Sequence, residues 1–355
     1  MATAAIRQAE DVALHEIARF PRMRALYWAG DVLYASRGYD LLRAKISGRA
    51  IQWELVAQFR PEWWRKVSSS FALSSRLCRD GFHALAVLPS GDLVGAVPGA
   101  IVASRAGKSE FCVSHRLQRG TRPLHIACTP EGNCFWGEYF DNSDRDEVHI
   151  YGSSDRGANW VIAYTFAAGE IRHVHNVVYD QFENCLWILA GDEGRECRIL
   201  RASCDFRSVD VVLAGNQQAR AAALVPTRDA LYVSSDTPFE QNYIYRLDRT
   251  GRLTQLTPVS SSSIYGCAAG DALFFSTMVE PSAANPDQHV RLYGSHDGDH
   301  WRSLLAWQKD GLHARLFQYG NAFLPDGDNT ADFLAVSTIA VKNGDIETTL
   351  WRVTT

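Results

Sequence analysis

The feature that most constrains this chain is a turn that comes back seven times. Each time an apolar segment enters a tight polar turn and leaves as a second apolar segment. The copies read Gly30-Asp31-Val32-Leu33-Tyr34, Gly91-Asp92-Leu93-Val94, Gly132-Asn133-Cys134-Phe135-Trp136, Glu183-Asn184-Cys185-Leu186-Trp187, Arg228-Asp229-Ala230-Leu231-Tyr232, Gly270-Asp271-Ala272-Leu273-Phe274 and Ala331-Asp332-Phe333-Leu334. They recur about every 40 to 60 residues, the period of a small sheet that needs its neighbours to bury both faces. The pattern predicts an all-β chain: one β-propeller of seven blades, each of four antiparallel strands. The blades are expected over 24–60, 81–120, 123–168, 172–215, 219–258, 263–309 and 315–354. The last supplies only three clear strands, ending with Thr348 to Val353. The alternating segment 12–20 is expected to pair there as the outer strand, so that the N-terminal strand closes the last blade and no edge is left open.

Composition narrows the class. Hydrophobic residues make up 46% of the 355 positions and there are ten tryptophans, enough core for one large domain. The net charge of −4 comes without a Lys/Arg stripe, so neither a nucleic acid nor an anionic membrane is an expected partner. No apolar run approaches the roughly 18 residues of a membrane helix. Met1 to Val12 has no apolar core of signal-peptide length. The eight cysteines form no Cys-x-x-Cys pair, and Cys134 and Cys185 share one repeat position inside an apolar strand. They read as buried hydrophobes in a reducing compartment, and the expectation is a cytoplasmic protein. Residues 61–80, with Trp63, Trp64 and a serine run, form a long connection on the funnel side. It reads either as a functional loop or as a short helix packed through its tryptophans.

A second motif lies between the third and fourth strands. Blade three has Ser153-Ser154-Asp155-Arg156-Gly157-Ala158-Asn159-Trp160, and blade six has Ser295-His296-Asp297-Gly298-Asp299-His300-Trp301. Blade four carries a decayed copy, Ser203-Cys204-Asp205-Phe206-Arg207-Ser208. These resemble the Asp-box, or BNR repeat, of the sialidase-like superfamily, Ser/Thr-x-Asp-x-Gly-x-Thr-Trp. The resemblance implies a propeller in which Asp155, Asp297, Trp160 and Trp301 make turns and are not catalysts. It also implies a carbohydrate-active protein. The chain departs from that family in having seven expected blades, where six are usual. Phe20-Pro21-Arg22-Met23 only echoes the family's Phe/Tyr-Arg-Ile-Pro motif. Seven-bladed propellers that cleave uronate polysaccharides by elimination are the other relatives suggested, by architecture and residue types.

Strands alternate direction within a blade, so the start of the inner strand and the end of the second meet on one face. Inner-strand starts give His83, His125, His175, Arg220, Tyr265 and Tyr319. Second-strand ends give Arg37, Glu138, Tyr139, Asp192, Asp236 and Glu280, with Arg172, His173 and Asn321 nearby. Polar groups gathered on loops over a rigid scaffold are the usual form of a site. Elimination from a uronate needs a base, a cation for the carboxylate and an acid for the leaving oxygen. His125 or His175, Arg220, and Tyr265 or Tyr319 suit these roles by type. Hydrolysis needs two carboxylates, offered by Glu138, Asp192, Asp236 and Glu280. A tyrosine paired with Glu280 is the sialidase-like variant.

His83, Arg37, Arg172, Arg220, Tyr139, Asp236, Glu280 and Asn321 are expected to bind substrate. The expected partner is an acidic oligosaccharide or polysaccharide, cleaved with a slight preference for elimination. Hydrolysis and a non-catalytic glycan- or protein-binding propeller are the alternatives. No cofactor is expected. A metal on the histidine ring is the minor possibility, because the rings of His173-Val174-His175 are read as pointing apart. Asp326-Gly327-Asp328-Asn329 is read as a solvated turn.

Overall fold

The computed structural model describes residues 11–48 and 50–354. The first ten residues, most of the stretch read as lacking a leader, lie outside them. Among the described residues no helix is long and apolar enough to cross a membrane.

Seven sheets stand around one axis, six of four antiparallel strands and one of four antiparallel strands with a fifth added in parallel. In five of the seven blades the turn between inner and second strands contains a residue in left-handed backbone, Gly30, Gly91, Gly132, Asn184 or Gly270. Gly30 has φ +64° and Gly132 φ +90°, a region in which a Cβ is strained, and Asn184 takes the same role at φ +49°. The second strands, such as Cys185–Ala190 and Ala272–Thr277, are buried at every position, whereas the outermost strand Val161–Phe166 is largely exposed. A strand covered on both faces loses its polar alternation and reads as an unbroken apolar run. Each gap between neighbouring blades holds one apolar cluster, from Leu26, Leu41 and Phe82 between the first two to Phe274, Val290 and Leu334 between the sixth and seventh. The core is therefore seven wedges rather than one centre.

The ring closes as the alternation of 12–20 predicts. Ala13–Pro21 is the outer strand of the last blade and pairs antiparallel with Glu347–Thr354, from Ala13↔Thr354 to Pro21↔Glu347. Its Ile17 and Phe20 pack with Trp53 of the first blade. A second tie was not foreseen. Asp326–Asn329 is no solvated turn: it pairs parallel with the inner strand Arg24–Gly30, as a fifth strand of the first blade.

Residues 61–80 form two short helices, Trp63–Ser68 and Ala72–Cys78. The tryptophans are not their core contacts, since Trp63 is 79% exposed. The anchor is the buried guanidinium of Arg76. It bonds Asp310 (2.6 Å), Asp345 (3.0 Å) and the Phe317 carbonyl (Nε, 3.0 Å) of the last blade region. The insertion is thereby clamped beside the funnel mouth. Its last helix residue is followed by Arg79 in left-handed backbone.

The Ser-x-Asp turns are built from main-chain amides. Asp155 accepts from the amides of Ala158 (3.1 Å) and Asn159 (2.9 Å), and Asp297 from those of Asp299 (2.9 Å) and His300 (2.8 Å). Burial acts upward on both carboxyls, but the amide bonds win and draw each down to about 2. Trp301 is buried and donates Nε1–H to the Gly298 carbonyl (2.7 Å).

Candidate functional site

A cavity of about 660 Å³ opens at the funnel mouth, where inner strands begin and second strands end. Twelve of the fifteen residues singled out from sequence line it: His83, Tyr139, Arg172, His173, His175, Asp192, Arg220, Asp236, Tyr265, Glu280, Tyr319 and Asn321. Three do not. His125 lies outside the lining, with Nδ1 on Asp326 (3.0 Å) and its ring against Tyr265. Thr121, Arg122 and Leu124 before it line the cavity, so a count back from the turn of this blade, whose inner strand is only Ala127–Cys128, stops short of the mouth. Glu138 is spent on the sheet: it pairs with Arg119 and accepts the His149 amide (2.9 Å). The next residue, Tyr139, reaches the cavity instead. Arg37 is exposed at a neighbouring cavity of about 980 Å³ between the first blade and the helical insertion.

The lining has two electrically opposite walls. On one stand Arg24, Arg79 and Arg122, none of which has a carboxylate within salt-bridge distance among the described residues. Arg24 donates to His83 Nδ1 (3.3 Å) and to the His83 backbone carbonyl (3.0 Å), stacks over the Phe323 ring (3.8 Å) and has the Tyr265 hydroxyl beside it. The second nitrogen of His83 donates to the Arg79 carbonyl (2.7 Å), since a carbonyl only accepts. Burial first, and the Arg122 and Arg24 charges next, keep that imidazole neutral, well below its ordinary range. Arg122 donates to Thr121 Oγ1 (3.0 Å), and its Nε is buried without a partner, as is that of Arg24. Burial and the repulsion of Arg79 and Arg24 lower the Arg122 guanidinium to about 10. Tyr265 lies against this wall, its hydroxyl pushed up chiefly by burial. Mutually repelling guanidiniums facing an open cavity give this wall a concentrated positive charge.

The opposite wall carries Asp192, Asp236 and Glu280. Asp192 is gripped by His175 (Nε2–Oδ1 3.0 Å) and Arg220 (3.3 Å), with His173 and Arg172 each at 3.6 Å. Burial opposes its ionisation, but these neighbours hold the carboxyl well below the usual range. Glu280 is different. Burial and the Asp236 charge push it upward. Tyr139 stands between, its hydroxyl raised by burial and then by Asp236, Asp192 and Glu280.

His175 donates Nδ1–H to the Ala221 carbonyl (2.9 Å) and turns Nε2 to Asp192. Burial would lower it, yet the Asp192 bond raises it overall. Both nitrogens are engaged, so the geometry leaves His175 no free lone pair for the base role. His173 does have one. Its Nδ1–H donates to the Phe140 carbonyl (3.1 Å), and its Nε2 is buried without a partner. Burial, then the His175 charge, takes this ring down to about 3. The two rings do not point apart: His173 stands just before the strand Val174–Asp180 and His175 at its bulge, and their centroids lie 4.8 Å apart. The inner strands of blades one, four, five and six share a bulge at this level, and the bulged residues His175, Ala222 and Ile264 all face the cavity.

No family model matches the chain, and no curated protein matches it. Solved structures do. A chain from a structure titled "Crystal Structure of Mitotic Checkpoint Complex" superposes with a TM-score of 0.58 at 10% identity, covering 100% of this chain and 99% of that one. A computationally designed protein, Ika8, gives a TM-score of 0.52 at 11% identity, with 94% and 96% covered. These likenesses establish the fold: an all-β, seven-bladed propeller.

Proposed function

We propose that the funnel mouth binds and cleaves an acidic saccharide, seating a uronate- or sialate-type carboxylate on Arg24, Arg79 and Arg122. One observation carries the reading: three cavity-facing guanidiniums with no carboxylate within salt-bridge distance among the described residues. A guanidinium fork matches a carboxylate in geometry as well as charge. The aromatic lining of Tyr139, Tyr265, Tyr319 and Phe323 suits the apolar faces of sugar rings.

For bond cleavage the opposite wall favours hydrolysis over elimination. The two histidines suited by type to act as base are engaged or outside the lining. Asp236 and Glu280 instead stand together in the cavity. Burial and the Asp236 charge favour the protonated form of Glu280, the division of labour that a general acid and an ionised partner require. Glu280 is the donor to the leaving oxygen in this reading, and Asp236 the carboxylate across the bond.

The test is a panel of uronate- and sialate-containing oligosaccharides, with reducing ends and ultraviolet absorbance followed together. New ends without absorbance support hydrolysis. Absorbance rising with new ends returns the reading to elimination. Binding without product on any member leaves a glycan-binding propeller, and neither binding nor product overturns the proposal.

A further inference from the structure

At the carboxylate wall, three side chains bring potential metal-ligand atoms together, His173 Nε2, His175 Nε2 and an Asp192 oxygen. His173 is 7% exposed, His175 4% and Asp192 6%, so all three are buried. Their nearest nitrogen and oxygen donors lie within 4.8 Å of one another. His175 Nε2 is 3.0 Å from Asp192 Oδ1, and His173 Nε2 is 3.6 Å from the same atom. Donors on a shared zinc, each roughly 2.0–2.2 Å from the ion, sit about 3.3 Å apart in a tetrahedron. Only the two imidazoles need to draw together, by a side-chain adjustment.

The tautomers are already set. Nδ1 of His173 donates to the Phe140 carbonyl and Nδ1 of His175 to the Ala221 carbonyl. Main-chain acceptors behind the ring are how metal-binding histidines are oriented, because they leave Nε2 as the ligand atom. His173 Nε2 has no hydrogen-bond partner among the described residues, and a buried lone pair without one is a cost that a ligand removes. The surrounding charge also favours a cation. Asp192, Asp236 and Glu280 face the cavity together, and Arg220 is the one guanidinium within 3.5 Å of any of them among the described residues.

We propose that His173 Nε2, His175 Nε2 and Asp192 bind one divalent transition-metal ion of the zinc or cobalt class, with cavity-side positions left for water or a ligand oxygen. On binding, the ion replaces the proton between His175 Nε2 and Asp192, and that proton leaves to solvent. Two imidazoles and a carboxylate with open positions suit these borderline ions better than calcium or magnesium, which prefer oxygen alone. Arg220 and Arg172 keep their contacts to Asp192, since a carboxylate offers about four lone-pair sites.

The site is distinct from the arginine wall, and its test uses no saccharide. Tag-free protein, stripped with a chelator and dialysed, is titrated with Co²⁺ and then Zn²⁺. The expected result is one equivalent of Co²⁺ giving visible ligand-field absorption of a low-coordinate site, displaced by Zn²⁺. His173→Ala weakens this binding by at least about a hundredfold. Cys185→Ser leaves it unchanged, which separates it from the other potential ligand cluster, Asp180–Glu183–Cys185. Absence of the band in wild type, its persistence in His173→Ala, or its loss in Cys185→Ser overturns the proposal. Should His173→Ala fail to fold, X-ray absorption on zinc-loaded wild type decides: two imidazole ligands uphold the site, and one or none overturns it.

Discussion

Arg122→Met is predicted to make the ligand-free protein more stable while removing its anion affinity. Arg122 falls from 12.5 to about 10, through burial and then through Arg79 and Arg24. That drop corresponds to about 3 kcal/mol held against the charged side chain. The sign follows from protonation in the two states. At pH 7 the guanidinium is charged in both, so folding bears the full cost. The cost fades only as pH rises through about 10. Methionine removes the charge and keeps the apolar stem. Against the gain stands the hydrogen bond to Thr121, about 0.5–1 kcal/mol, and some lost packing. The net expectation is a stabilisation of about 1–2 kcal/mol, a rise of a few °C in Tm.

The assay is thermal and urea unfolding at pH 7, with and without trigalacturonate. Ligand at a hundredfold over Kd stabilises wild type by about 2.7 kcal/mol through mass action, and the variant by much less. If Arg122→Met is destabilised by more than about 1 kcal/mol and keeps the ligand response, Arg122 is an ordinary structural residue and the reasoning fails. A site residue held at a cost to stability is the usual sign of a group kept for binding.

Three further outcomes are expected. Asp297→Ala removes the acceptor of two turn amides and costs about 1–2 kcal/mol at pH 7 by urea unfolding. Because Asp297 is drawn down to about 2, its contribution is present above pH 3.8 and lost toward pH 2; a difference from wild type that does not shrink on acidification contradicts this. Removal of residues 11–21 strips the outer strand from the last blade and bares the edge of Glu347–Thr354. Size-exclusion chromatography should then show aggregation, and an unchanged cooperative monomer would refute the closing role. Glu280→Gln should lower kcat by about 10²–10⁴ with KM little changed, and abolish the alkaline limb of the pH profile, where a raised carboxylic acid loses its proton. A limb that survives in the variant assigns the acid elsewhere.

The fold was legible because the propeller writes its period into the chain. Left-handed turns place Gly30, Gly91, Gly132, Asn184 or Gly270 at one repeat position in five of the blades, and two-sided burial makes second strands such as Cys185–Ala190 unbroken apolar runs. The closing strand 13–21 was legible from its alternation. The parallel tie of Asp326–Asn329 was not, because four polar residues carry no strand signal and the pairing is purely main chain. Most of the mouth was legible as well, since strand direction alone sends Arg220, Asp192 and Asp236 there. Arg24, the first residue of the inner strand of blade one, follows from the same rule. Arg122 precedes a two-residue strand, and Arg79 ends a helix inside an insertion, so no repeat position points to either. The two errors at the mouth are of register. His125 falls below it and Glu138 one residue short of it, the slip a β period of two punishes most.

The central claim is that the arginine wall seats a carboxylate, and calorimetry on a matched pair of ligands tests it most directly. Trigalacturonate and its methyl ester differ at the carboxyl groups. The account predicts that the acid binds, that affinity falls as salt rises, and that the ester binds at least about tenfold more weakly, a loss of about 1.4 kcal/mol or more. The same comparison with a sialyl oligosaccharide and its ester covers the other acid class. Equal affinity for acid and ester in both pairs, or binding of neither acid, would contradict it.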